Sequence, residues 1–430
     1  MQGKELFTVL RQKMGGNFDS FISEKVKVVP GDISQKDLGI NEPDLKDELL
    51  RNIDVIVNLA ATTKFIERYD IALYLNTYGV KHVLDFAKTC PNLKVVVQVS
   101  TAYVSGEKEG LIKENPYYVG DTLNGKTGLD IEVEKKLIEE KLLELQDQGA
   151  TEENIKVAMK DMGMERARHW GWPNVYVFTK ALGEMVLMQE KGDIPLVIVR
   201  PTIVTSTYKE PIPGWVDGVR NLDTIIIAYG KGRLPYYSCD LEAVLDMIPG
   251  DMVVNALIVA MKVHANQKGD PTIYHIGSSL RHPIKHGVII DTFCQYFTKH
   301  PWINKNGKPI IVSHMKILDS IASFKRYITL RYLLPLKGLE IANIISCQSF
   351  RDTYENMSRK IKHIMLLQDI FKPYLFYKTI YDDQNVEKLR TAVNDKGVET
   401  EVFYLDPKVI QWEDYLMNIH IPGLVKYVFD

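Results

Sequence analysis

Metal-ligand spacing, a glycine-rich phosphate loop, a membrane-length apolar run and any marked charge imbalance are all missing from this 430-residue chain. The four cysteines, Cys90, Cys239, Cys294 and Cys347, stand singly, which argues against a disulfide framework or a structural metal and for buried thiols in a reducing setting. With 53 basic against 55 acidic side chains, the net charge of -2 gives no electrostatic case for nucleic acid as the main partner. The opening Met1–Met14 stretch is charged and helical in pattern, without the continuous apolar core of a secretory signal. The most apolar late stretch, Ile328 to Ser346, contains Arg331, Pro335, Lys337 and Glu340. Charges at that density are incompatible with about 30 Å of hydrocarbon. A helix packed on the core is the expectation there, with an amphipathic segment on a membrane surface as the alternative. Gly230-Lys231-Gly232 does not stand between a strand and a helix, so it is not a phosphate loop.

What is present is the composition of a globular protein, 45% hydrophobic and 25% charged, in a chain long enough for two domains. Val26–Val29, Val55–Leu59, Val95–Val99, Leu196–Val199 and Ile273–Ile276 are short apolar runs bounded by turn or polar residues. Continuous rather than alternating runs suit strands covered on both faces, as in a parallel sheet. Helical patterns lie between them: Leu73–Lys88, Ile131–Leu145, Ile155–Arg168 and Lys180–Met188. This alternation predicts an α/β fold with a doubly wound parallel sheet. The Glu-, Lys- and Leu-rich Asp130–Asp147 stretch reads as an inserted helical arm with a solvated face, Glu132 and Lys136 sharing helical spacing. From about residue 325 the β-branched runs stop, and Tyr, Leu, Lys and Phe recur at helical intervals, marking a C-terminal, mostly α domain.

The chemistry concentrates around Tyr176 and Lys180. Residues four apart on a helix face the same side, so phenol and ammonium can approach each other. A cation at about 4 Å is worth about 4 kcal/mol at an effective dielectric near 20. Such a neighbour lowers a phenol pKa toward the range useful for proton transfer to a carbonyl oxygen, with desolvation acting against it. Ser100 and Thr101 follow the Val95–Val99 strand directly, at the carboxyl edge where open α/β sheets bind ligands. Asp32 follows another run in Pro30-Gly-Asp-Ile33, and Asn58-Leu-Ala-Ala61 closes a third with small residues that permit close approach of a planar ligand. Each of these alone is an ordinary turn signal.

Together they resemble the extended short-chain dehydrogenase/reductase superfamily and, more narrowly, its plant-type alcohol-forming fatty acyl-CoA reductases. The segments that carry the resemblance are Ala60-Ala-Thr-Thr-Lys-Phe-Ile-Glu-Arg-Tyr-Asp70, Val99-Ser-Thr-Ala-Tyr-Val-Ser-Gly-Glu107 and Tyr176-Val-Phe-Thr-Lys-Ala-Leu-Gly-Glu184. Arg200-Pro-Thr-Ile-Val204 and Glu210-Pro-Ile-Pro-Gly-Trp-Val-Asp-Gly218 belong with them, and the likeness runs through the α-rich tail.

The resemblance implies reduction of long-chain fatty acyl-CoA to a primary alcohol, with release of CoA and two rounds of NADPH through an aldehyde-level intermediate. It assigns Tyr176 as proton donor, Lys180 as the group that lowers the Tyr176 pKa and holds the nicotinamide ribose, and Thr101, with Ser100 beside it, as carbonyl-positioning groups. Asp32 and Ile33 match adenine-side contacts, Asn58 and Ala60 the stretch passing close to the cofactor, and Pro201 and Ile203 the segment bordering the nicotinamide. No metal is implied. It further implies a Rossmann-like reductase domain over residues 1–280 with a helical insert at 125–170, a connecting region at 281–324, and a family-specific C-terminal domain at 325–430.

Members of the family open with a strand, a Thr-Gly-x-x-Gly turn and a helix, and this sequence holds no such unit ahead of Val26–Val29. The expectation is therefore a parallel sheet lacking its first βαβ unit, with uncovered edges and weak NADPH binding by the 430 residues. Two other readings stay open at this point. One is a catalytically impaired paralogue acting as a non-catalytic partner; the other is a superfamily enzyme acting on a different carbonyl or sugar substrate. Peripheral membrane association, homo-oligomerisation and an endoplasmic-reticulum or cytoplasmic setting are the accompanying expectations, as are wax, suberin or pollen-wall lipid pathways.

Overall fold

The computed structural model describes residues 5–346, 348–395 and 402–427; Cys347 lies outside them. Its centre is a four-stranded, wholly parallel sheet of β1 (Val55–Asn58), β2 (Val95–Val99), β3 (Leu196–Pro201) and β4 (Thr272–Ile276), side by side in chain order. These are four of the five apolar runs; the composition of β2 to β4 follows from burial on both faces, whereas β1, at the edge, leaves Val55 exposed. Val96, Leu196, Ile198 and Ile273 pack with α1 (Gly79–Lys88) and with Leu187 of α2 (Val175–Glu190). Val95, Val97, Val197 and Val199 point the other way, into a core shared with Met252, Ala256 and Val259 of α3 (Gly250–His264). Alternate residues thus serve opposite apolar layers, and full burial of each aliphatic side chain stabilises by about 1.5–3 kcal/mol.

Val26–Val29 departs from expectation: it forms no strand, and Val28 is 87% exposed. A strand needs a hydrogen-bonded neighbour, and none of the described residues pairs with this segment, while β1 stands at one edge of the sheet.

The helical arm forms as two helices, Ile131–Asp147 and Glu152–His169. Its inner face is less solvated than the charge pattern suggested. Glu134 is completely buried, accepting hydrogen bonds from Tyr69 Oη and Trp170 Nε1 at 2.8 Å each and pairing with Arg166. Glu132 accepts from Tyr78 Oη rather than pairing with Lys136, which lies beside Glu140.

Helix α4 (His286–Lys299) buries Ile289, Ile290, Phe293 and Phe297 in the same core as α3. After three short strands between residues 302 and 318 the chain is mostly helical from about residue 325, as expected, and α5 (Arg351–Phe371) is the longest element there. Short parallel pairings stitch this part to the sheet domain: Lys316–Leu318 with Tyr236–Ser238, and Thr379–Tyr381 with Gly110–Ile112. The final helical turns dock on the loop after β3. There Tyr415 Oη donates to the Ser206 carbonyl at 2.7 Å, and His420 Nδ1 lies 3.0 Å from Ser206 Oγ. Gly423 packs so tightly on Gly214 that a Cβ on Gly423 would collide with the Gly214 carbonyl.

The stretch 328–346 corrects the core-packed expectation. Of the helix Leu334–Ile345 only Leu336 is buried, while Ile344 is 72% and Ile345 78% exposed. Its helical period places a broad apolar stripe outward, because one narrow face suffices to meet α5. Among the described residues no helix is long and apolar enough to cross a membrane.

Candidate active site

The carboxyl edge of the sheet opens into a cavity of about 670 Å³, and chain segments far apart in sequence build its walls. β2 ends where Ser100 N donates to the Val199 carbonyl at 2.7 Å. The chain then turns, with Thr101 Oγ1 accepting from Tyr103 N at 3.3 Å. This cap leaves the Ser100 and Thr101 side chains at the cavity wall, each 5% exposed.

Asn174 caps α2 through its Oδ1, which accepts from Val177 N at 3.1 Å, and so sets the position of Tyr176 in the first turn. The Thr101 and Tyr176 side chains stand together in the cavity wall, and the phenol ring stacks on Phe65 with centroids 6.0 Å apart. Lys180 lies one turn further on the same helix. It is buried, and its ammonium donates to the Val99 carbonyl at 2.7 Å, beneath the floor that Ser100 and Thr101 form.

The electrostatics reverse one expectation. Burial pushes the Tyr176 phenol up to about 12, opposed by the nearby Thr101 hydroxyl and by the positive charge of Arg220. Lys180 is not the cation that opposes the rise. Its own burial brings it down to about 8, with Glu184 acting in the other direction. Desolvation therefore outweighs charge attraction for both groups, as it does for ionisable side chains withdrawn from water. What the arrangement offers is a protonated phenol beside a threonine hydroxyl in the wall of a largely apolar cavity. Such a pair can donate hydrogen bonds to a carbonyl oxygen and stabilise negative charge developing on it.

Of the residues singled out from sequence, Ser100, Thr101, Tyr176, Pro201 and Ile203 line this one cavity, with Lys180 just beneath it. Asn58 sits at the neighbouring strand end, donating to Gln98 Oε1 at 2.8 Å and accepting from Ala60 N at 3.2 Å. Asp32 and Ile33 are outside the cavity walls. The Asp32 carboxylate accepts from Ser34 N and Ser34 Oγ, which holds it below the usual carboxylate range, and the Ile33 side chain packs at Gly79.

The sequence reading missed Phe65, Tyr103, Arg220, Phe371 and Tyr374. Arg220 donates to Thr63 Oγ1 at 2.8 Å, bringing the loop after β1 against the loop after Gly218 at the cavity wall. Tyr374 accepts from Asn174 Nδ2 at 3.0 Å and packs edge-on against Tyr103. The Glu210–Gly218 motif was the available signal for Arg220, two residues beyond it. Nothing local marks Tyr374.

Ser100, whose Oγ is buried without a hydrogen-bond partner, stands in this wall with Thr101, Tyr176, Pro201 and Ile203, and these residues could hold the nicotinamide end of a dinucleotide. Among the described residues no cluster of side chains is arranged to hold a metal ion.

Residues 1–257 match the NAD-binding family described as "Male sterility protein", and residues 331–430 match a second family of the same description. The alcohol-forming fatty acyl-CoA reductase of Simmondsia chinensis is 59% identical over 100% of this chain and 87% of its own length. Fatty acyl-CoA reductase 1 of Arabidopsis thaliana is 48% identical over 99% of this chain and 86% of its own length. Among solved structures, the terminal R domain of the myxalamid biosynthetic pathway superposes with a TM-score of 0.53 at 16% identity, covering 95% of this chain and 78% of that one. An archaeal thiolation-reductase di-domain gives 0.51 at 17% identity, over 98% of this chain and 65% of that one. These two likenesses speak to the fold alone. The chain belongs to the fatty acyl-CoA reductase family and carries that family's nicotinamide-cofactor-binding region.

Proposed function

We propose that this chain, as a member of that family, reduces long-chain fatty acyl-CoA to a primary fatty alcohol with NADPH, releasing CoA. The observation that carries the reading is the juxtaposition of Thr101 and Tyr176 at the head of a cavity whose remaining wall is largely apolar. A bound nicotinamide supplies hydride in both reductions. The chain's own groups manage the oxygen. Thr101 positions the carbonyl, and Tyr176 donates a hydrogen bond and then its proton to that oxygen. Lys180, with Ser100, Pro201 and Ile203, supports the ribose and ring of the nicotinamide. Asn58 and Ala60 border its path, and Asp32 and Ile33 stand on the adenine side. In net terms one thioester, two reduced cofactors and two protons give one alcohol, one thiol and two oxidised cofactors.

Ile225, Leu245, Ile289, Ile290, Phe293 and Ile370 supply the apolar wall that an acyl chain requires. Each buried methylene is worth about 0.8 kcal/mol, so chain-length preference follows the depth of that wall. The reading divides the chain into a reductase domain over residues 1–280, with its insert at 125–170, a connection at 281–324 and a C-terminal domain at 325–430. The outward Leu330, Leu334, Ile341, Ile344 and Ile345 support peripheral attachment to a membrane, where a water-insoluble alcohol is best released.

The test is incubation with long-chain acyl-CoA and NADPH, with fatty alcohol read by mass spectrometry and CoA by thiol titration. Two cofactors oxidised per alcohol, lost on Tyr176→Phe, is the expected result. Absence of both alcohol and free thiol overturns the reading.

A further inference from the structure

Two side chains of the cavity wall, Tyr237 and His286, carry buried polar atoms that the reduction does not use. Tyr237 is the middle residue of the short strand Tyr236–Ser238 and is 2% exposed, and its phenol oxygen has no hydrogen-bond partner. His286 opens α4 and is 4% exposed, and its Nε2 is likewise unpartnered. Both side chains line the same cavity as Thr101 and Tyr176, among Leu245, Ile289, Ile290 and Phe293.

Their hydrogen-bonding character is fixed by their surroundings. His286 Nδ1 lies 3.0 Å from the Ala243 carbonyl. A carbonyl only accepts, so Nδ1 carries the proton and Nε2 presents a lone pair. Burial lowers the His286 pKa, which keeps the ring neutral. Burial raises that of Tyr237, which keeps its O–H in place. The wall therefore offers one donor and one acceptor. Leaving such atoms unpaired forfeits their hydration without return, a cost that phenylalanine and leucine in their places would avoid. A plain hydrocarbon chain satisfies neither atom. A hydroxyl can serve either atom, its hydrogen going to Nε2 or its oxygen accepting from the phenol.

We propose that Tyr237 and His286 form a hydroxyl-recognition subsite in the acyl cavity, selecting fatty acyl chains that carry a hydroxyl group along their length. The proposal rests on the acyl-CoA reading above. The same chemistry would suit a single water, so the test has to separate a hydroxyl on the substrate from one supplied by solvent.

The experiment compares unsubstituted acyl-CoA with a series of the same length in which one hydroxyl is moved from mid-chain to the terminal carbon. Dissociation constants and kcat/KM are measured for the native protein, Tyr237→Phe and His286→Leu. At one hydroxyl position the native protein should favour the hydroxylated chain about tenfold or more, since a site built around a substrate hydroxyl discriminates strongly against its absence. Either substitution should erase that preference, and Tyr237→Phe should tighten binding of the plain chain and raise the melting temperature. Disfavour of the hydroxyl at every position, or a ratio unchanged in both variants, overturns the proposal and leaves water as the occupant. Reduction of plain acyl-CoA without positional preference overturns this inference alone. Failure to bind any acyl-CoA overturns the underlying function with it.

Discussion

The side-chain amide of Asn174 donates to the phenol oxygen of Tyr374 at 3.0 Å, joining residues 200 positions apart. Asn174 is also the cap of the helix that carries Tyr176, so the C-terminal part of the chain holds the first turn of that helix in place. Tyr374→Phe keeps the ring contacts with Tyr103 and Phe65 but removes the acceptor. Its kcat should fall several-fold with little change in melting temperature. Asn174→Ala should lose activity and also about 1 kcal/mol of stability, the usual cost of a lost cap. Steady-state rates and thermal melts on the two variants check this, and equal effects of both on stability would contradict it.

Replacing Tyr176 by Phe should lower alcohol formation by about 10²–10⁴-fold, the range for removal of a general acid. Acyl-CoA binding should change little, because the ring and its stack on Phe65 remain. Because burial holds the phenol up at about 12, native activity should show no loss of a tyrosine proton across pH 6–10. A pH–rate profile limited by a group titrating near 7 and absent in Tyr176→Phe would be inconsistent with this placement.

Lys180 gives a stability signature of definite sign. Its pKa in the fold, about 8, lies below the ordinary lysine value of 10.5. Between those values the unfolded chain binds the proton that the folded chain has released, so stability rises with pH across that window. Below pH 8 the penalty of burying the charge is in full force, on the order of 3 kcal/mol. Lys180→Met should therefore be inactive yet more stable than the native protein at pH 7, with the advantage shrinking toward pH 10. Urea midpoints at several pH values read this directly, and parallel curves would refute it.

Glu184 and Arg200 form a fully buried pair, with Arg200 Nε donating to Glu184 Oε1 at 3.0 Å. Arg200 also donates to the Asn115 carbonyl at 2.9 Å, so the pair joins α2, β3 and the loop around residue 115. Glu184→Gln leaves a buried guanidinium uncompensated and should cost about 3–5 kcal/mol. Denaturant titration measures this, and a loss below about 1 kcal/mol would mean that water reaches the pair.

The sheet was legible because burial on both faces forces unbroken apolar runs in β2 to β4, and the edge strand β1 carries one as well. Val26–Val29 has the same composition, but pairing is a property of neighbours and not of the segment. The Tyr176–Lys180 spacing correctly placed both residues on one helix. It did not show that the Lys180 ammonium turns to the Val99 carbonyl, since that depends on where β2 ends in space. Helical period was visible across 328–346, but which face meets α5 was not. Tyr374, Tyr237 and His286 escaped notice because their significance comes only from tertiary juxtaposition, whereas Arg220 lay two residues beyond a motif that could have marked it.

The contact of Gly423 with Gly214 leaves no room for even a methyl group, and the loop it backs leads directly to Arg220 at the cavity wall. A premature stop shortly before position 423 would spare every codon for the reacting groups and still remove the buttress behind that loop. Genetically, such late truncations should behave as null alleles, indistinguishable in phenotype from loss of the proton donor itself.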